Sequence, residues 1–260
     1  MNFNQFKDKA GEILNINLGG YKLKRVKRRT DSLMRRHDIE DYKQCLTLLK
    51  KDPKFKAAYL DHFTINTSEF YRNPDNFKYL QEEILPQLFE KKRKINIWSA
   101  PCSNGSEPYT IAIILNEMGI QSNRYKILAS DLDPQILEFA KTGIYQNSSL
   151  KNVSKNIITK YFKKLPRKNK YQLSNNIMKE VEFKEMNLIN ERYMKNWDLI
   201  LSRNFFIYLT KDIKERLTKK FVSALNSKGY LFLGNTEFIF NPEKFNLKKE
   251  YLSFYKKKNI

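Results

Sequence analysis

The residues best suited to chemistry lie in stretches well separated along the chain. One is Ile95-Asn96-Ile97-Trp98-Ser99-Ala100-Pro101-Cys102-Ser103-Asn104-Gly105-Ser106-Glu107-Pro108-Tyr109-Thr110. Its apolar opening suits a buried strand and its polar middle, with one glycine, a tight loop. Ser106 reads as an N-cap, with Glu107 and Pro108 in a first helical turn that tolerates an acid and a missing N–H. The run from Ile111 to Leu115 then predicts an almost wholly apolar helix packed on a sheet. Strand, glycine loop and helix N-terminus in that order form the usual nucleotide cradle of a doubly wound α/β domain, although a one-glycine turn also occurs with no ligand. A second stretch, Tyr125-Lys126-Ile127-Leu128-Ala129-Ser130-Asp131-Leu132-Asp133, is a buried strand ending in two acids. An acid about 20–25 residues beyond the loop is where this architecture holds ribose hydroxyls. Asp131 is the first choice for that role, and Asp133, next to Pro134, for the cap of the following helix.

Other polar groups converge on the same chemistry. In Thr64-Ile65-Asn66-Thr67-Ser68-Glu69-Phe70-Tyr71-Arg72-Asn73-Pro74, the Asn, Ser and Arg side chains can hydrogen-bond an amino acid or a carboxylate. As a linker into the nucleotide domain, the strip is placed to fold over a ligand; equally, it is an ordinary connection anchored by Phe70. Asn187 falls at a strand end, the binding edge of an open α/β sheet. Trp197 to Asn204 is the next buried strand, continuing as Phe205 to Leu209. Two histidines (His37, His62) and two cysteines (Cys45, Cys102), with no CxxC pair, leave neither a metal site nor a disulfide framework.

The elements that position these groups follow from periodicity and charge. A chain of 260 residues predicts one large or two small domains. No segment approaches the roughly 18 apolar residues of a membrane span, and Met1-Asn2-Phe3-Asn4 opens no signal peptide, so a soluble cytoplasmic protein is expected. The net charge of +21 points to an acidic partner (nucleic acid, anionic membrane or acidic protein) or to compositional drift in a Lys- and Asn-rich chain. Local concentration says more than the total. Over residues 22–36, helical spacing places Leu23, Val26, Thr30 and Leu33 on one stripe and Lys24, Arg25, Lys27, Arg28, Arg35 and Arg36 on the other faces. That surface is either a docking face for something acidic or a solvated one. Further helices are predicted over Ile39 to Lys50, from Asp52-Pro53 to Phe63, and over Phe77 to Glu90.

Residues from about 146 to 183 break the βα alternation. A helix around Val153 to Phe162 and strand-like pieces around Tyr171-Gln172-Leu173 and Ile177-Met178 predict a small inserted antiparallel unit. A helix over 211–225 follows, and segments 229–236 and 247–256, the latter a last strand over Leu247 to Tyr255, would form an antiparallel sheet edge.

These motifs together resemble the bacterial chemotaxis receptor methyltransferases, the CheR family, over nearly the whole chain. The matching segments are Asn66 to Arg72, Ile97 to Tyr109, Ala129 to Asp133, Asn187-Leu188 and Ser202-Arg203-Asn204-Phe205-Phe206-Ile207-Tyr208. The resemblance implies an α/β, Rossmann-like methyltransferase domain with a small inserted antiparallel β-subdomain, preceded by an all-helical domain. The corresponding boundaries are a docking domain at 1–63, a linker at 64–76 that contributes to the cofactor site, and a catalytic domain at 77–260 with its insert at about 160–180. S-adenosyl-L-methionine is the implied methyl donor, leaving S-adenosyl-L-homocysteine. Glutamate side chains on the acidic cytoplasmic bundle of chemoreceptors are the implied acceptors, for chemotactic adaptation. A receptor C-terminal peptide is a further implied partner at the β-subdomain, and the protein is expected to be a monomer that neither binds nucleic acid nor inserts in a membrane.

Residue by residue, the resemblance assigns Asn66, Ser68 and Arg72 to the cofactor's amino-acid end, and Glu107 and Asp131 to the loop acid and the ribose acid. Asn187 with Leu188, and Asn204 with Phe205, are assigned to its adenine and methionine portions, and Ala100, Gly105 and Arg203 to the surrounding cofactor site. Arg72 and Tyr208 match positions with a part in catalysis or substrate orientation. Arg25, Arg28, Arg29 and Arg35 would carry receptor docking. Two loop positions depart from the family's Ser-Thr-Gly-Glu-Glu-Pro-Tyr, Asn104 and Ser106, and its later Gly-His-Ser-Glu is here Gly234-Asn235-Thr236-Glu237. A carboxylate acceptor, with a free pKa of about 4.3, needs no general base, which suits the absence of a His/Asp or Cys/His constellation. An RNA or DNA methyltransferase is the main competing function. However, Asn204-Phe205-Phe206-Ile207 lacks the Asn/Asp-Pro-Pro-aromatic motif of base amino-methylation. A sensor or adaptor with a degenerate cofactor site is a third.

Overall fold

Helices open the chain where apolar residues recur at helical spacing behind a polar cap. The computed structural model describes residues 1–64, 68–166 and 169–259. It begins with α1 (Phe3–Leu14), α2 (Leu23–Arg36), α3 (Tyr42–Lys51) and α4 (Pro53–Phe63). Asn2, Asp41 and Asp52 accept backbone N–H bonds at the starts of α1, α3 and α4. Helix α2 lacks a side-chain cap and buries Val26, Thr30, Leu33 and Met34. Leu23, expected on that stripe, is 49% exposed. Helix α4 runs beside α2 from the edge-on His37–Phe55 contact, through the Thr30–Tyr59 hydrogen bond (2.7 Å), to the Phe63 carbonyl, which accepts from Arg25 (3.3 Å), and Leu23 lies past its end. The amphipathic helix expected over 77–90 is α5 (Pro74–Tyr79), a π-helical turn (Leu80–Ile84) and α6 (Leu85–Lys91). Pro86 has no N–H to give the Glu82 carbonyl, and the ladder widens just before it.

The βα alternation then runs through β1 (Ile95–Ser99), α7 (Ser106–Glu117), β2 (Tyr125–Asp131) and α8 (Pro134–Thr142). An insert follows, made of β3 (Ile144–Gln146), α9 (Lys155–Tyr161), β4 (Phe162–Lys164), β5 (Lys170–Leu173) and α10 (Asn175–Met178). The main sheet resumes with β6 (Val181–Glu185), β7 (Trp197–Ser202), α11 (Lys211–Ala224), β8 (Leu225–Leu233), β9 (Leu247–Tyr251) and β10 (Phe254–Lys257). Its strand order is β6-β2-β1-β7-β8-β10-β9, with β10 antiparallel to β8. The order reverses at β1, so the loops after β1, β2 and β7 meet at one carboxyl edge, where open α/β sheets bind ligands.

Several local expectations change. The insert begins at Ile144, because β3 pairs β5 antiparallel, and Ile177-Met178 is helical rather than extended. The last strand is a hairpin, β9 and β10, turning at Leu252. Strand β7 stops at Ser202, and Phe206–Tyr208 forms a 3-10 turn, because Asn204 adopts a left-handed φ of 58° that no strand continues through.

Alternate strand residues feed opposite cores. Ile95, Ile97, Ile127, Leu199 and Leu201 pack with α5, α6 and α7, whereas Trp98, Leu128, Ile200 and Leu231 share one continuous cluster with α11 and α1–α4. The helical domain is therefore built onto the sheet rather than merely tethered to it. Phe70 is fully buried and edge-on to both Tyr145 (4.8 Å) and Phe162 (5.1 Å), which locks the linker to the insert. Phe70→Ala is expected to cost about 3–5 kcal/mol of unfolding free energy, read from denaturant titration; a loss below about 1 kcal/mol would refute this anchoring.

Candidate functional site

The three converging loops enclose one cleft. Its lining includes Ser68, Arg72, Glu107, Asp131, Asn187, Leu188, Arg203, Asn204, Phe205 and Tyr208, together with Arg25 from α2. Asn66 lies outside the described residues. Ala100 and Gly105 stand behind the cleft: Ala100 is buried with its N–H on the Leu201 carbonyl (2.8 Å), and a Cβ on Gly105 would meet Ala140 at 2.8 Å. Gly105, at φ +80°, also takes the place expected for Ser106 as the N-cap of α7; Ser106 is already the first helical residue.

An ion pair holds the floor. Glu107 accepts from Ser99 Oγ (2.7 Å) and from Arg203 Nη1 (3.2 Å), and all three residues are buried. Arg203 Nη2 donates in turn to the Arg72 carbonyl (2.7 Å) and to Asn73 Oδ1 (2.8 Å), and its guanidinium lies over the rings of Phe77 and Phe232. Burial pushes the Glu107 carboxyl up and the Arg203 guanidinium down, and each partner opposes the shift of the other. Arg203 thus joins β7, the glycine loop and the linker. The Arg72 side chain, by contrast, donates to no described residue and lines the cleft.

Asp131 sits at the end of β2, as expected. Its carboxylate accepts from the Ser103 N–H (2.8 Å) and the Asp133 N–H (3.2 Å), and burial raises its pKa to about 6 against the pull of those two donors. Asp133 caps α8 by accepting from the Gln135 N–H, and it also receives the Thr64 hydroxyl. Asn104 answers for its departure from the family loop. Its Nδ2 donates to the Ser68 carbonyl (3.0 Å) and its Oδ1 accepts the Ser106 N–H (3.1 Å), so it ties the linker to the loop.

Asn187 and two of the docking arginines, Arg25 and Arg29, have structural partners. The Asn187 amide accepts the Ile189 and Asn190 N–H groups and donates to the Asn15 carbonyl of the helical domain. Arg25 and Arg29 donate to carbonyls at the end of α4, whereas Arg28 and Arg35 are exposed. The Arg25 guanidinium also lies 3.4 Å from the Tyr208 ring centroid, and Lys22 donates its N–H to the Tyr208 carbonyl (3.0 Å). The sequence pattern assigns Glu237 no role, although Gly234-Asn235-Thr236-Glu237 stands out as a motif. That buried carboxylate accepts N–H bonds from Gly234 (2.7 Å), Asn204 (2.7 Å) and Ile207 (3.2 Å) and so shapes the β7 loop.

The donor set fits S-adenosylmethionine. The cleft lining combines apolar side chains (Leu132, Met186, Leu188, Ile189 and Phe205) with charged and amide ones (Arg72, Glu107, Arg203 and Asn204), and Asp131 and Ser103 lie at the glycine loop. A flat base, a diol and a zwitterionic amino acid match that set of surfaces, and the buried Ser103 hydroxyl has no partner among the described residues.

A mostly parallel sheet with its glycine loop and acid at the switch point, an antiparallel edge and a helical domain built on one face define a Rossmann-like, S-adenosylmethionine-dependent methyltransferase. The chain belongs to the CheR methyltransferase family: its all-alpha domain matches residues 1–64 and its SAM binding domain residues 66–252. The chemotaxis protein methyltransferase of Listeria monocytogenes is 34% identical over 235 residues, covering 90% of this chain and 88% of that protein. That of Borreliella burgdorferi is 33% identical over 92% of this chain and 91% of that one, and that of Salmonella typhimurium 31% over 85% and 78%. No helix among the described residues is long and apolar enough to cross a membrane.

Replacing Glu237 by Gln turns an amide NH2 toward backbone donors that had a carboxylate. A loss of about 1–3 kcal/mol of stability and weaker S-adenosylhomocysteine binding are expected, measured by thermal melts and calorimetry; wild-type values for both would remove Glu237 from the site's architecture.

Proposed function

We propose that the protein methyl-esterifies glutamate side chains on the acidic cytoplasmic bundle of chemoreceptors, in the service of chemotactic adaptation. The observation that carries this is the cleft mouth. The Arg72 guanidinium, which has no hydrogen-bond partner among the described residues, and the Arg25–Tyr208 stack line a space whose own carboxylates are already engaged, Glu107 by Arg203 and Ser99 and Asp131 by backbone N–H groups. A cleft of this kind receives an anion and needs to remove no proton from it, which is what an ionised glutamate acceptor requires. The bound cofactor supplies an electrophilic methyl group on its sulfonium. The protein contributes alignment and exclusion of water.

In this reading Arg72 forks the acceptor carboxylate or the cofactor's own, a bidentate geometry that lysine lacks. Tyr208 lies near the reacting centre, its ring held by Arg25. Ser68, Asn204, Phe205, Asn187 and Leu188 contact the cofactor, and Asp131 its ribose. Arg28 and Arg35, exposed on the outer face of α2, meet the acidic receptor bundle, while Arg25 and Arg29 serve inside. The small sheet leaves β3 and β4 as edges, and an extended receptor C-terminal peptide adds at such an edge.

The test is transfer of labelled methyl from S-adenosylmethionine to receptor-containing membranes. Base-labile label that falls steeply with added salt, is lost with Arg72→Lys and is insensitive to nuclease is expected; base-stable or nuclease-sensitive label would overturn the reading. The cofactor site carries its own pH test. With a pKa of about 6, Asp131 is ionised at pH 7 and largely protonated at pH 5, and only the carboxylate accepts two hydroxyls. S-adenosylhomocysteine affinity should therefore fall about tenfold from pH 7 to pH 5, and Asp131→Asn should flatten that profile. A pH-independent wild-type affinity would remove Asp131 from the ribose position.

A further inference from the structure

The carboxyl edge of the sheet carries an exposed apolar surface beside the cleft. Phe238 and Phe240 are 56% and 74% exposed, and their rings touch edge to face at 4.6 Å. Single exposed apolar residues are common, but two large exposed rings in contact are an apolar patch. The backbone under them is tightly fixed. Glu237, just before Phe238, is bonded to the cleft loop at Asn204 and Ile207; Ile239, between the rings, is buried with its N–H on Tyr255 Oη (3.1 Å). The two phenylalanines therefore face solvent because their neighbours are anchored on the other side. The β9–β10 turn lies at the same end of the sheet: Leu252 is exposed, and the Ser253 carbonyl accepts the Leu233 N–H at the end of β8.

The surroundings are basic. Lys214 lies within electrostatic reach of both Lys22 and Glu237, and its ammonium is pushed down by burial and by Lys22. Lys22 in turn begins α2 and is bonded to Tyr208. A lip of the cleft thus runs from the exposed arginines and lysines of α2, past Tyr208 and Lys214, to an aromatic pair. We infer that Phe238 and Phe240 form the apolar half of the acceptor-docking surface. They would seat the apolar side chains of an acidic, amphipathic helix whose neighbouring glutamate enters the cleft beside Tyr208. This rests on the function proposed above and adds to it the chemistry of the acceptor's flanking positions: acidic residues toward α2, and large apolar ones, about one helical turn from the methylated glutamate, toward the phenylalanines. Charge on α2 steers the encounter and the aromatic pair holds the bound helix, since rim charges act mainly on association and buried aromatics on dissociation.

The experiment measures binding of a soluble receptor cytoplasmic fragment together with methyl transfer to it, for the wild type, Phe238→Ser/Phe240→Ser and Phe238→Leu/Phe240→Leu. Expected for the serine pair are a Kd at least tenfold weaker at both low and high salt and S-adenosylhomocysteine affinity as in the wild type; the leucine pair should restore most of the receptor affinity. The contrast is Arg28→Glu, whose effect should vanish at high salt. Wild-type receptor affinity in the serine pair, a parallel loss of cofactor affinity, or a change only in the sedimentation of the protein itself would overturn the inference, the last by marking the patch as a contact between two copies. Binding without methyl transfer by the wild type would count against the glutamate reaction and leave the surface to be judged on Kd alone; no binding by the wild type would overturn both.

Discussion

The buried Glu107–Arg203 pair is the constraint around which the cleft is arranged. Removing two charges from water is costly, and the attraction between them repays that cost only when the remaining donors and acceptors are also satisfied. Here Ser99 takes the second Glu107 oxygen and the Arg72 carbonyl and Asn73 Oδ1 both take Arg203 Nη2, while Arg203 Nε keeps no hydrogen-bond partner among the described residues. Three chain segments that are distant in sequence are thereby held in one geometry. Left-handed backbone at Tyr71, Asn73, Ser103 and Asn204 gathers around this pair. Such conformations each cost on the order of 1–3 kcal/mol and persist where the surroundings over-determine them, as Asp131, Arg203 and Glu237 do through their bonds to Ser103, Asn73 and Asn204.

The helical domain does more than present charge. It shares a hydrophobic cluster with one face of the sheet, pairs Tyr21 with Leu209, and bonds Asn15 to Asn187 and Thr64 to Asp133. Its basic helix is divided by function. One row of arginines turns inward to cap the carbonyls at the end of α4 and reaches the cleft through Arg25; the other stays in water. A docking event on the outer row is mechanically close to Tyr208, because the same helix carries both.

The altered family loop proves consistent with a firm site. Asn104 replaces a hydroxyl residue with an amide that spans from the Ser68 carbonyl to the Ser106 N–H, one donor and one acceptor on a single planar group. Ser106 leaves its hydroxyl without a partner among the described residues, and Glu107 keeps both of its partners. The loop's hold on Glu107 therefore does not rest on the residue that changed beside it.

Much was legible in the one-dimensional pattern because it depends on local rules. The β1 loop and α7, the acid ending β2, the Asp133 cap, and the helices α3, α4 and α11 all follow from periodicity, capping chemistry and residue type. The family, and with it the cofactor, followed from motifs whose order and spacing survive without coordinates. What tertiary structure alone decided concerns partners far apart in the chain. No spacing rule could show that Arg203 would close on Arg72 and Asn73, that Glu237 would serve as acceptor for the β7 loop, or that Arg25 would turn from a docking face onto Tyr208. The insert's first strand at Ile144 and the hairpin at Leu252 were likewise hidden, since short strands take their identity from the neighbour they pair with. Residue types determine which groups can bond; only the sheet's switch point, by bringing three loops to one edge, determines which of them meet.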